Sequence, residues 1–330
     1  MSIHNFSRIK SARVPHPCRV LCGMGGKART VAPNLPCAIL AFITFSIVAP
    51  LAAQIPSDWT TPFPPFRIAG NLYYVGSGDL ASYLVVTPKG GILINSNLDS
   101  SPALIKKSVE SLGFHFSDIK ILLISHAHYD HCAGSAEIKR LTGAKYEVMA
   151  QDVSVVESGG RTDFHYAGDK SFQFPPTHVY RILHDGDKVS LGGTTLTAHL
   201  TAGHTQGTTT WTLDEQEFGP SGLEGAEGTR TLHVVIVGSP NVNPGYKLVA
   251  NKAYPQIAAD YRHQFSVLRN LSCDIFLGAH GGYFDLKEKY DRLQHGDRNA
   301  FIDPAGYKAY VADRQQAFEA ELQKQSKRKK

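Results

Sequence analysis

Six consecutive residues, His126-Ala127-His128-Tyr129-Asp130-His131, carry three imidazoles and one carboxylate. Groups of this kind crowd together where a cation offsets the cost of crowding. Just before them, Ile121-Leu122-Leu123-Ile124 is short and wholly apolar, the pattern of a strand buried on both faces. Just after come Cys132-Ala133-Gly134-Ser135-Ala136-Glu137 and a helix-like stretch. The six residues thus occupy the turn where a buried strand gives way to a helix, the place where α/β folds build sites. A histidine cluster on a solvated face is the plain alternative, and the buried strand feeding the turn weighs against it. Imidazole and carboxylate donors favour zinc or a similar first-row ion over calcium or magnesium. The sequence predicts an α/β chain organised around a metal site.

The 330-residue chain does not begin with that domain. Residues 1–53 contain Arg8, Lys10, Arg13, Arg19, Lys27 and Arg29 and no acidic residue, followed by the apolar run Cys37–Ala49 and then Pro50-Leu51-Ala52-Ala53. A basic start, a short apolar core and small residues describe a secretory signal peptide. The run is short for a transmembrane helix. The expectation is therefore export, to the periplasm or beyond, with no stable membrane anchor once the leader is removed. Met24, just before Gly25-Gly26-Lys27-Ala28-Arg29, offers a later start that shortens the leader. Of 34 Lys+Arg six leave with the leader, and of 29 Asp+Glu none, so 28 remain against 29. The basic balance of the whole chain belongs to the leader and gives no argument for nucleic acid as a partner. The end, Lys324-Gln325-Ser326-Lys327-Arg328-Lys329-Lys330, reads as a basic, disordered tail. Cys132 and Cys273 remain after leader removal, each in or beside a buried strand, and read as two buried free thiols.

Residues 54–330 show an α/β mixture without repeats, read as one layered domain. Strand-like runs are Asn71–Val75, Ser82–Thr87, Gly91–Asn95, Lys120–Ser125, Tyr146–Ala150, Thr194–Leu200, Thr208–Leu213, Leu232–Val237 and Asp274–Leu277. Helix-like runs are Ser101–Leu112, Ala133–Leu141, Pro255–Leu271, Leu286–Gln294 and Pro304–Lys324, with Pro102 and Pro304 at first helical positions. The stretch Asp214–Arg230 reads as an exposed hairpin insertion. Two further histidines follow strands and have glycine neighbours: His204 in Gly203-His204-Thr205-Gln206-Gly207, and His280 in Ala279-His280-Gly281-Gly282. With the first cluster present, both become candidate ligands. His115, His165, His178, His184, His199, His233, His263 and His295 are scattered without ligand spacing and read as surface or supporting groups.

His126-x-His128-x-Asp130-His131, then Gly203-His204-Thr205-x-Gly207, then the late strand-end His280 resemble the metallo-β-lactamase superfamily across essentially all of residues 60–320. The longer strings Ser125–Gly134, Thr201–Trp211, Asn243–Val249 and Ala279–Phe284 resemble the third subclass of true metallo-β-lactamases. The resemblance implies a four-layer αβ/βα sandwich with two zinc ions per chain. It assigns His126, His128 and His204 to the first ion and Asp130, His131 and His280 to the second, with Asp130 also catalytic. Thioesterase members such as glyoxalase II end the strand after the Gly-His motif in a bridging aspartate, and the first lactamase subclass places a cysteine ligand there. Ser239 stands at that position here, as in the third subclass, which implies a bridging hydroxide and an open substrate face.

The chemistry implied is hydrolysis of a small-molecule β-lactam. Zinc lowers the pKa of bound water from about 15.7 to about 7, so hydroxide forms without a protein base. Ser239, Asn241 and Asn243, before Pro244-Gly245-Tyr246, are candidate donors to the substrate carboxylate, with turn chemistry around Pro-Gly as their plain alternative. Hydrolysis of lactones or thioesters on the same fold is the rival activity, and metal binding without turnover the rival outside enzymes. The absence of a Gly-x-Ser-x-Gly elbow or a phosphate loop leaves serine-hydrolase and nucleotide chemistry without support.

Overall fold

The computed structural model describes residues 55–220 and 227–328. The expected leader and the alternative start at Met24 lie outside the described residues. The described residues form sheets of seven and five strands. The first contains β1 (Phe66–Ala69), β2 (Leu72–Tyr74), β3 (Tyr83–Thr87), β4 (Gly90–Ile94), β5 (Ile119–Leu123), β6 (Lys145–Met149) and β7 (Arg181–Leu183), in that spatial order. Its first four strands pair antiparallel and its last three run parallel to β4. The second is ordered β12-β11-β10-β9-β8, from β8 (Lys188–Leu191), β9 (Thr194–Leu200), β10 (Thr209–Pro220), β11 (Glu227–Val237) and β12 (Ile275–Gly278).

Strand alternation sorts the side chains into two cores. Val85, Ile92, Ile94 and Leu123 face the second sheet, where they meet Leu196, Trp211, Leu213 and Ile236. Leu84, Leu93 and Leu122 face outward, against α2 (Pro102–Ser111) and α4 (Ser135–Thr142). Beyond the second sheet lie α6 (Ile257–Asn270) and α8 (Pro304–Lys327), which bury Tyr261, Phe265, Leu268, Val311 and Phe318. The architecture is the αβ/βα sandwich that the resemblance implied. The remaining helices are short: α1 (Ser57–Thr60), α3 (Tyr129–Cys132), α5 (Val153–Ser158) and α7 (Leu286–Gln294).

Every expected strand and helix is present, with boundaries shifted by a few residues, apart from the hairpin strands. These differ more, because β10 and β11 continue far beyond Leu213 and Leu232, in register from Trp211↔Ile236 to Pro220↔Glu227. Polar cross-strand pairs extend them where no apolar alternation marks a strand, as in the 3.0 Å Gln216–Thr231 hydrogen bond. Strands β1, β7 and β8 were not foreseen, being too short to establish a period. The C-terminal reading is corrected: α8 is helical through Lys327, and Gln325 is bonded into the protein rather than frayed. Cys132 is buried, Cys273 only half-buried, and neither forms a disulfide among the described residues.

Candidate metal centre

Two hydrogen bonds join the sheets where β5 ends. Thr209 N–H donates to the carbonyl of Ser125 at 2.7 Å, and Trp211 Nε1 to that of Ile124 at 3.0 Å. Asn95, in a left-handed conformation at φ 67°, accepts from the Ser125 N–H at 2.7 Å. Anchored in this way, the chain leaves the strand and presents His126 and His128, then turns into α3 with Asp130 and His131. His204 comes from the β9–β10 connection. Gly203 has φ +144° there, and a Cβ on it would stand 2.8 Å from the Tyr261 ring. A Cβ on Gly207 would meet Asp152 at 2.6 Å, so this glycine permits a close approach rather than a left-handed turn. His280 follows β12.

All six expected ligands converge. Donor atoms of His126, His128 and His204 lie within 4.8 Å of one another, as do those of His126, Asp130 and His131. His128 Nδ1 is 3.1 Å from His204 Nε2, and His131 Nε2 is 3.2 Å from His280 Nε2. Asp130 Oδ2 lies 3.3 Å from His131 and 3.6 Å from His280. Two nitrogens at about 2.0–2.1 Å from one tetrahedral zinc are roughly 3.3 Å apart, so the spacing fits such an ion. The donor state fits as well. Burial holds His126 and His204 well below the ordinary imidazole range and brings His128 to about 4, so these rings are neutral and carry lone pairs. His126 Nε2 is buried without a hydrogen-bond partner among the described residues. Burial opposes ionisation of Asp130, but His131 and His280 outweigh it and keep the group a carboxylate.

The outward-facing ring nitrogens are also held. His204 Nδ1 donates to the carbonyl of Asn241 at 2.8 Å, and His280 Nδ1 to Asp79 at 2.8 Å. His128 Nε2 faces the Tyr246 hydroxyl at 3.5 Å and Asp163 at 3.7 Å. Partners of this kind fix a ligand ring's tautomer and angle. Sequence reasoning missed Asp79, Asp163 and Tyr246, and none of the other histidines takes such a role. It also missed Asp152, fully buried, which accepts from Ala127 N–H, Thr205 Oγ1 and Gly207 N–H, each at 2.8 Å. One carboxylate therefore ties the loop of His126 and His128 to that of His204.

His128, Asp130, His204 and His280 form the floor of a cavity of about 460 Å³, with His126 and His131 behind them. Trp59, Tyr129, Tyr166, Phe172 and Tyr283 provide aromatic walls, and Asn241 and Asn243 polar ones. The Asn241 amide donates to the Tyr283 hydroxyl at 2.8 Å and the Asn243 amide to that of Tyr166 at 3.0 Å. Ser239 lies directly behind this wall. It is fully buried, and its hydroxyl lies 3.1 Å from that of Tyr283.

The family model of the metallo-β-lactamase superfamily matches residues 77–218. The native metallo-β-lactamase FEZ-1 from Legionella gormanii is 57% identical, with a TM-score of 0.77 over 81% of this chain and 98% of that one. The class B3 di-zinc metallo-β-lactamase LRA-12 from an Alaskan soil metagenome is 36% identical, with a TM-score of 0.74 over 82% of this chain and 98% of that one. A probable metallo-hydrolase of Burkholderia pseudomallei is 28% identical over 44% of this chain, which spans about half (47%) of that relative's length. The chain belongs to the metallo-β-lactamase superfamily. Its structural neighbours are metallo-β-lactamases of subclass B3.

Proposed function

We propose that this protein hydrolyses the β-lactam amide bond of penicillins, cephalosporins and carbapenems, with two zinc ions held by His126, His128, His204 and by Asp130, His131, His280. Near-full-length likeness to metallo-β-lactamases supports β-lactam hydrolysis as its activity. The observation that supports the two-ion reading is the convergence of two three-donor sets at one open cavity: His126, His128 and His204 within 4.8 Å of one another, and Asp130, His131 and His280 with atoms 3.2, 3.3 and 3.6 Å apart. Zinc there supplies a lowered pKa for water and an electrophile for the lactam oxygen and nitrogen.

The chain's own residues supply orientation. Asp130, on the cavity floor, accepts a hydrogen bond from the attacking water and holds it toward the carbonyl. Asn241 and Asn243 offer amide N–H groups to the substrate's fixed carboxylate, exchanging their bonds to tyrosine hydroxyls for it. The aromatic walls take the apolar substituents and exclude water. The leader reading supports export, and outside the cytoplasm this activity confers antibiotic resistance.

The test is hydrolysis of nitrocefin and of a carbapenem by the purified protein, with zinc content measured and with and without a chelator. Chelator-sensitive turnover of both at two zinc ions per chain is expected. Two bound zinc ions without lactam turnover would overturn the substrate reading and turn attention to lactones and thioesters.

A further inference from the structure

The loop Pro240–Leu248 separates two spaces. Asn241 and Asn243 form part of the active cavity, while the loop's outer side, with Arg314, Ala317 and Lys324 of α8, borders a groove of about 590 Å³. The loop belongs to neither sheet, and its backbone groups therefore need partners from elsewhere. On the inner side, the carbonyl of Asn241 accepts from His204 Nδ1 and from the Tyr261 hydroxyl at 2.6 Å. On the outer side, one side chain does what a neighbouring strand would do. Gln325 Oε1 accepts from Leu248 N–H at 2.7 Å, and its Nε2 donates to the Tyr246 carbonyl at 2.8 Å. Eleven residues back along α8, on the same face, Arg314 Nη1 donates to Asn241 Oδ1 at 3.3 Å.

We propose that α8 is a strap for the active-site loop, and that Gln325 and Arg314 are positioning residues for substrate binding. Gln325 fixes the backbone on either side of Lys247 and so sets Tyr246, whose hydroxyl donates to the His204 carbonyl at 2.9 Å. Arg314 holds the acceptor oxygen of the Asn241 amide, leaving its N–H groups turned toward Tyr283 and the cavity. Neither residue touches substrate. Arg314 acts through the Asn241 amide and Gln325 through Tyr246, whose N–H donates to the Asn243 carbonyl at 3.1 Å, so their loss weakens binding more than it slows the chemical step. This assignment rests on reading the cavity as the β-lactam site.

The test compares the full chain with Gln325→Ala, with Arg314→Ala and with Gln315→Ala, a control on the same helix whose amide donates to Glu319 and accepts from Arg269 of α6, so that it breaks a packing bond of α8 away from the loop. One readout is independent of activity: backbone amide exchange at Leu248 in the zinc-free protein. In Gln325→Ala it should quicken about tenfold and in the control stay as in the parent. The other readout is nitrocefin hydrolysis, in which loss of one or two hydrogen bonds should raise KM roughly three- to tenfold in Gln325→Ala and Arg314→Ala, with kcat within about twofold. Unchanged Leu248 exchange with unchanged KM would overturn the strap. So would a lowered melting temperature with KM and kcat both at parent values, which would make α8 a packing element only. If the parent protein hydrolyses no lactam while Leu248 exchange still responds to Gln325→Ala, the strap stands and the substrate reading falls.

Discussion

Asp79 accepts the Nδ1–H of His280 at 2.8 Å, which turns the opposite nitrogen, Nε2, toward His131 and Asp130. The two residues are 201 positions apart in the chain and meet because Leu80 bridges His280 at the edge of the site. The same carboxylate accepts from Gly282 N–H at 2.9 Å and Trp59 Nε1 at 3.1 Å, so it is itself held in place. Removing a partner of this kind typically costs about 10–100-fold in metal affinity. On the proposed two-ion reading, Asp79→Ala is therefore expected to weaken the site of Asp130, His131 and His280 by that factor and leave the other near its parent affinity. Titration against a competing chelator measures both, and two unchanged affinities would sink the idea.

Metal removal should have its own signature. His126, His128 and His204 form a buried, neutral set in which one nitrogen has no partner among the described residues, an arrangement that a zinc ion would complete. An ion that binds the folded chain at a thousand times its Kd adds about 4 kcal/mol of stability. Scanning calorimetry should show the melting temperature falling when a chelator is added and recovering with zinc. His126→Ala should remove most of that difference. Equal melting curves with and without zinc would show that these residues hold no ion.

The convergence of the six candidate ligands was legible in the sequence because chain connectivity delivers them: four lie within six residues on one turn, and His204 and His280 each follow a strand beside a glycine. The residues that orient them were not. Asp79 stands in a bend without a motif, Asp152 follows a strand like any other aspartate, and Tyr246 looked like part of a Pro-Gly turn. Each acquires its role from a segment distant in sequence, and no local pattern marks such a meeting. Ser239 shows the same limit. Its position after β11 was legible, but its burial beneath the cavity wall, with its hydroxyl 3.1 Å from that of Tyr283 and its carbonyl accepting from Gln264 of α6 at 2.8 Å, depends on segments distant in sequence. The basic composition of the last seven residues masked the α8 contacts for the same reason.

Far from the metal ligands, Glu215 makes stability depend on pH. It is 3% exposed, and burial raises its pKa to about 7, against the bond its Oε2 accepts from Asn71 N–H at 3.1 Å and the pull of Arg67. Its other oxygen, Oε1, has no partner among the described residues. A carboxyl with a raised folded-state pKa is a better proton holder folded than unfolded, so its contribution is fully present below the ordinary value of 4.5 and is lost as pH rises through about 7. Glu215→Gln keeps an acceptor for Asn71 and cannot ionise. The variant should melt higher than the parent at pH 8, with the gap closing below pH 5. A gap that is the same at both pH values would remove Glu215 as the cause.

Asp152 is where fold and site depend on one side chain. Its two oxygens take three donors, from Ala127 between the ligands His126 and His128 and from Thr205 and Gly207 on either side of Gln206 in the His204 loop. Asp152→Asn keeps the volume but replaces one oxygen by an amide nitrogen, which then faces an N–H or O–H donor. At least one buried donor is left unsatisfied, at about 1–3 kcal/mol, or a few degrees of melting temperature in a chain of this size. Because both loops of the first ligand set lose their common anchor, the loss should extend to metal binding, whereas an ordinary core defect would lower stability alone. The expected result is a lower melting temperature of the zinc-free protein together with weaker binding of one zinc ion. Weaker stability with both zinc affinities intact would show that each loop holds its histidines without Asp152.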